Sequence, residues 1–284
     1  MKQGWRFGVG LVLLWLAVAG RAETLPHLLV MGPDNDATAR FHQLLDARIG
    51  NRYQLVRAAG DTAPVLTIAL GTESFERAIT ASAPVLGVHI PRSRIDAAIA
   101  SGCRCTGVYR EVPVNVQMQV VRELLPGARR VGILVSPDNA SLLSGLRDPD
   151  MLFEVREVAR VEDLPLVLAG LLPRVDVLLA LPDVRIYGAD TARLILLASY
   201  RQHTPVIGPD ESFVRAGSLA SAHPSLDGLV DAVATMLAQP DVPDTLPPPR
   251  YAAPSLSINP HVARSYGVVA PDTAAIEKRL ESVR

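Results

Sequence analysis

Lysine is almost missing from this chain: Lys2 and Lys278 are the only two. That scarcity removes several chemistries at once. No Gly-Lys pair exists, so there is no Walker phosphate loop. Asp34-Asn35-Asp36-Ala37-Thr38 follows an apolar run much as the Asp-x-Asp-x-Thr nucleophile loop does in phosphotransferring haloacid-dehalogenase-like enzymes. Those sites need a lysine to neutralise the phosphoryl group. Here Gly32-Pro33 also displaces the spacing, so the segment reads as a turn followed by an Asp or Asn helix cap. It fails as a calcium loop too, because position six is Ala39 and position twelve is Leu45 where Gly and Glu are required. No Gly-x-Gly-x-x-Gly follows the first apolar run and no Gly-x-Ser-x-Gly elbow occurs. Tryptophan occurs only at Trp5 and Trp15, and aromatics make up 5% of the chain. The only cysteines are Cys103 and Cys105. Without further Cys or His nearby they do not read as a metal or redox motif, although in an oxidising compartment they can close a small ring. With no nucleophile–base or metal constellation, an enzyme is disfavoured and no cofactor is expected.

What is present is a substantial apolar complement. Of the 284 residues, 49% are hydrophobic and 20% charged, with a formal net charge of −1. That is enough for a large core in one domain or two lobes. Positive charge is carried by scattered arginines interleaved with acids, which disfavours a nucleic-acid partner. The start has the features of an export signal: Lys2 and Arg6, an apolar stretch from Phe7 to Ala19, then Gly20-Arg21-Ala22. The stretch is shorter than the about 20 residues that span a bilayer, and no Cys follows it for lipid attachment. A signal peptide over 1–22, a mature chain from Glu23 and a periplasmic location are therefore expected.

From His27 onward, short apolar runs alternate with amphipathic stretches. Strands are expected at His27–Met31, Gln54–Val56, Val65–Leu70, Val85–Val88 and Thr106–Tyr109. A second series follows at Arg130–Val135, Phe153–Val158, Val175–Leu181, Pro205–Ile207 and Ser218–Ala222, with a last short strand at Leu256–Ile258. Strands that are apolar throughout and separated by helices predict parallel sheets covered on both faces. Two series predict an α/β protein of two doubly wound parallel-sheet lobes joined by a hinge. Lobe one takes 23–110, with 224–250 returning to it. Lobe two takes 111–223, with 255–284 packing on it or at the hinge. Tyr109–Pro113, the region of His223-Pro224, and the six prolines between Pro240 and Pro254 are the expected crossings. Ligands in such sheets sit outside the strand carboxyl ends, so two facing lobes make a cleft that hinge closure can shut. Ser74, after Gly71-Thr72-Glu73, lies where helix N–H groups can hold an anionic group, or simply begins a helix. Tyr187 can stack on a ligand or cover a helix, and Tyr109 and Arg110 stand at the first crossing.

Several stretches resemble one family. They are Thr106-Gly107-Val108-Tyr109; QVVRELLPGARRVGILV over Gln119–Val135; VDVLLALPD over Val175–Asp183; Thr204-Pro205-Val206-Ile207-Gly208; and Val214-Arg215-Ala216-Gly217-Ser218-Leu219-Ala220-Ser221. Leu256-Ser257-Ile258-Asn259 and Tyr266-Gly267-Val268 complete the set. In this order they resemble the ABC transporter substrate-binding proteins of the tryptophan/tyrosine-type group. The resemblance implies a type I periplasmic binding fold, capture of a small solute such as an amino acid, and a membrane permease as partner. By position it implies Thr72, Ser136, Asn139 and Asp183 as cleft residues. The first lobe departs from the family pattern, since Pro91–Cys105 is compact and lacks an Asp-Pro turn. That departure gives weight to an alternative, a periplasmic sensory protein that reports occupancy to a membrane receptor or kinase.

Overall fold

The computed structural model describes residues 25–58, 60, 63–81, 83–269 and 272–283. The expected signal segment lies outside them. Lobe one runs β1 (His27–Met31), α1 (Asp36–Ile49), β2 (Gln54–Val56), β3 (Leu66–Leu70), α2 (Thr72–Ala78), β4 (Val85–Ile90), α3 (Arg92–Ala100) and β5 (Cys105–Tyr109). Its sheet has the order β2-β1-β3-β4-β5, parallel throughout. The helix α1 begins where the Asn35 side chain accepts the Thr38 N–H at 2.9 Å. It buries Phe41, Leu45 and Ile49, a one-turn repeat that faces the sheet. Leu28, Ile68, Leu86 and Val88 form the sheet side of that layer. Phe75 of α2 and Ile95 of α3 pack on the opposite face with Ala69 and Val85. Cys103 and Cys105 are joined in a disulfide at the turn from α3 into β5.

Lobe two repeats the plan with α4 (Val114–Leu124), β6 (Arg130–Val135), β7 (Leu152–Glu157), α5 (Leu164–Leu171), β8 (Val177–Leu179), α6 (Ala189–Arg201), β9 (Val206–Ile207), α7 (Glu211–Ala216) and β10 (Ala220–Pro224). The chain then forms α8 (Leu226–Leu237), β11 (Pro254–Ile258), α9 (Pro260–Ser265) and α10 (Thr273–Ser282). The second sheet has the order β11-β10-β9-β8-β6-β7. On one face Val131, Ile133, Val177 and Leu179 meet α4 and α10. On the other, Leu134 and Leu178 meet α5, α6 and α7 through Leu168, Ile195 and Phe213. Both sheets are thus wound on two faces.

The parallel rule has one exception. At the edge, β11 pairs antiparallel with β10, because the chain re-enters this sheet from the other lobe. Three connections cross between the lobes. The first, 110–113, leads from β5 into α4. The second follows Pro224, the last residue of β10, and leads into α8, whose Val230, Val233 and Leu237 pack in the lobe-one core beside Leu45. The third returns through the proline-rich stretch. There the Thr106 hydroxyl donates to the Pro247 carbonyl at 2.6 Å. Arg250 bridges β5: its N–H donates to the Gly107 carbonyl, and its carbonyl accepts the Tyr109 N–H, each at 2.9 Å. Four residues later the chain is in β11.

The six-residue α7 is capped by Asp210 and buries Phe213 and Val214, and α10 is capped by Asp272 and buries Ile276 and Leu280. The connection from β6 to β7 departs from the alternation of strands and helices: it is a 3-10 turn over Pro137–Leu143 that buries no residue.

Candidate functional site

Both sheets present the carboxyl ends of their strands to the space between the lobes, and a cavity of about 400 Å³ lies there. In lobe two its wall comes from the switch point of the sheet, where strand order reverses between β6 and β8. Asn139, Ser141 and Leu142 enter from the turn after β6, and Leu181, Pro182 and Val184 from the loop after β8. Among the described residues this wall carries no charged side chain.

The lobe-one wall is different. It is built from the segment after β4, where Arg92, Arg94 and Asp96 sit on the first turns of α3, and from Arg110 and Glu111 of the first crossing. Tyr251 of the third crossing closes one side. Three arginines therefore stand against two carboxylates.

Most of these charges are committed to one another. Glu111 accepts the Arg92 backbone N–H at 3.0 Å. Burial raises its carboxyl above the usual carboxylate range, an effect that this N–H and the nearby arginines oppose. Arg92 donates to Asp96 at 3.3 Å and to the Tyr251 hydroxyl at 3.1 Å. Arg94 donates to Glu76 at 2.9 Å. Tyr109 donates to Asp96 at 3.3 Å and meets Tyr251 edge-on, with ring centroids 4.8 Å apart. Burial first, and the Asp96 charge second, push the Tyr109 hydroxyl up to about 12. Arg110 is the exception: among the described residues its guanidinium makes no hydrogen bond, and its nearest carboxylate, Glu111, is 4.0 Å away.

The residues expected from the sequence separate into layers. Asn139 lines the cavity and donates from its side-chain amide to the Ser136 hydroxyl at 2.9 Å. Ser136 is fully buried behind it, and its N–H donates to Asp183 at 2.7 Å. Asp183, 1% exposed, also accepts the Arg185 N–H at 3.1 Å. It therefore ties the loop after β8 to the end of β6. Tyr109 stands one layer behind Asp96 and Tyr251. Tyr187 lies in the core of lobe two, its ring edge-on to Phe213. Ser74 is a buried residue in the first turn of α2, and Thr72 is the first residue of that helix. Neither lines the cavity, because lobe one contributes through the ends of β4 and β5 instead of its own switch point between β1 and β3.

His89 was not among the residues singled out from the sequence. It sits at a register shift between β4 and β5 with φ of 61°, a left-handed backbone rarely held by a non-glycine residue. It lies close enough to Arg110, Asp210 and His223 to feel their charges. Desolvation first, then Arg110, lower its pKa to about 4, so the ring is neutral at ordinary pH. A single histidine in a strand carries no pattern by which sequence reasoning could find it. Among the described residues no group of three or more metal-ligating side chains converges, and no helix is long and apolar enough to cross a membrane.

Residues 35–279 match the family described as ABC transporter substrate binding protein. No curated protein matches the chain. Among solved structures, the chain is similar to a ligand-free, open substrate binding protein with adhesive properties from Clostridium difficile. That match has 14% identity and a TM-score of 0.67, over 88% of this chain and 97% of that one. It is also similar to an ABC domain in complex with L-Trp from Streptococcus pneumonia, at 14% identity and TM-score 0.56, over 89% and 98%. A conserved domain protein from Vibrio cholerae aligns at 19% identity and TM-score 0.54, over 90% and 98%. At these identities the likeness is one of fold.

Proposed function

This chain belongs to the family of ABC transporter substrate binding proteins, and from that premise we propose that it is the periplasmic solute-binding component of an ABC importer. Its fold is the two-lobed type I periplasmic binding fold, and its family consists of binding proteins, not enzymes. The observation that carries the proposal is the position of the cavity. It lies at the carboxyl ends of both sheets, takes residues from both lobes, and is closed on one side by a crossing strand. A solute held there touches both lobes at once, so binding favours the closed arrangement about the three crossings by the difference in contact between open and closed states. The closed form is then the one offered to a membrane permease. A volume of about 400 Å³ suits a small metabolite.

Thermal unfolding of the purified protein against amino acids, peptides, sugars and organic anions tests this reading. A solute at 100 times its dissociation constant stabilises by about 2.7 kcal/mol. For a chain of this size that raises Tm by about 5–11 °C. A rise confined to one chemical class supports solute capture. A flat response across the whole panel contradicts it.

A further inference from the structure

We infer that the solute is an organic anion, a monocarboxylate with an apolar body and without a free ammonium group, and that Arg110 is the residue that holds its charge. The inference rests on the solute-capture reading above and narrows it.

The first argument is what the cavity has left to offer. An amino acid presents a carboxylate and an ammonium group, and a site for it needs an uncommitted cation and an uncommitted anion. The cavity has the first in Arg110, whereas both of its carboxylates already stand beside arginines. Glu111 is largely buried, accepts the N–H that opens α3 on one oxygen, and holds the other 4.0 Å from Arg110. Asp96 is shared between Arg92 and the Tyr109 hydroxyl. Each already lies beside an arginine, Asp96 bonded to Arg92 and Glu111 with its other oxygen 4.0 Å from Arg110, so an ammonium group would compete with a resident cation for either one. Among the described residues that line the opposite wall there is no carboxylate, only Gln117, Asn139 and serines beside apolar side chains.

The second argument is Arg110 itself. Its N–H donates to the Ile90 carbonyl at 2.9 Å, which anchors the residue at the mouth of the first crossing. Arg92 and Arg94 are held by Asp96, Tyr251 and Glu76, but the Arg110 guanidinium has no hydrogen-bonded partner among the described residues. Its fork matches a carboxylate with two parallel N–H donors. His89, close enough to Arg110 to feel its charge, is neutral and so neither competes with a bound anion nor repels it. Leu142, Leu181, Val184 and Pro209 then receive the apolar body.

The test compares compounds of matched skeleton by calorimetric titration: 3-phenylpropionate, L-phenylalanine and 2-phenylethylamine, then 4-methylpentanoate, L-leucine and 3-methylbutylamine. In at least one set the carboxylate should bind about tenfold or more tightly than its amino acid, and the amine should not bind. Arg110→Gln should weaken the carboxylate about tenfold or more, while the neutral amide of the same skeleton is unaffected. Arg110→Lys should retain part of the affinity. Should Arg110→Gln fold poorly, the wild-type protein supplies the same information: carboxylate affinity should fall as salt rises. Tighter binding of the amino acids, or equal binding by Arg110→Gln, overturns the inference and leaves solute capture standing. If no member of either set binds, the inference also fails, and solute capture is judged by the wider panel.

Discussion

Replacing Asp183 by alanine distinguishes a strut from a ligand contact. The carboxylate is 1% exposed and accepts two backbone N–H groups, from Ser136 at 2.7 Å and Arg185 at 3.1 Å. Alanine leaves both donors without an acceptor. The Ser136 N–H belongs to a fully buried residue and costs about 2 kcal/mol to leave unpaired. The Arg185 N–H belongs to an exposed residue and costs about 1 kcal/mol. The expected loss is about 3 kcal/mol, which for a chain of this size lowers Tm by about 6–12 °C. Differential scanning calorimetry without solute measures it. If Tm is unchanged while solute binding is abolished, the strut reasoning is wrong and Asp183 acts on the ligand directly.

Other substitutions probe the remaining layers. Gly107→Ala places a Cβ 2.6 Å from the Gly87 carbonyl oxygen and 2.8 Å from the Ile95 side chain. Since backbone cannot yield as a side chain can, urea denaturation should show a loss of about 2 kcal/mol or more. Asn139→Ala removes a partly buried side chain that lines the cavity. It should weaken a bound solute about tenfold in titration calorimetry while leaving Tm without solute nearly unchanged. His89 has a folded-state pKa of about 4, below its ordinary value of 6.5. Between those values the unfolded chain binds more protons, so stability falls as pH drops from about 6.5 to about 4. His89→Asn, which tolerates the left-handed backbone, should flatten that part of a Tm-against-pH curve. An unchanged slope would point to other groups.

The fold was legible wherever burial dictated residue type. The strand Leu66–Leu70 is covered on both faces and is apolar apart from Thr67, and Arg130–Val135 is apolar after its exposed first residue. The cap at Asn35 was legible because a short polar side chain before a periodic stretch has few other uses. The helix α10 was not, since Ile276 and Leu280 are its only two buried positions among ten residues. Site residues were harder to read. Asn139, implied by the family resemblance, reaches the cavity because it follows a strand at the switch point. Thr72 holds the equivalent place in lobe one, yet there the wall shifts to the ends of β4 and β5, which depends on how the lobes face each other. Arg110 looks like any solvated arginine until Arg92 and Arg94 are seen paired with acids. His89 becomes visible only through its backbone.

The most direct test of the central claim is a crystal structure of the protein with whichever compound raises Tm most. The account predicts that compound between the lobes, against Arg110 on one side and Asn139 and Leu142 on the other. Density elsewhere, for example in the groove lined by Asp231, Arg250 and Glu281, with the interlobe cavity empty, would contradict it.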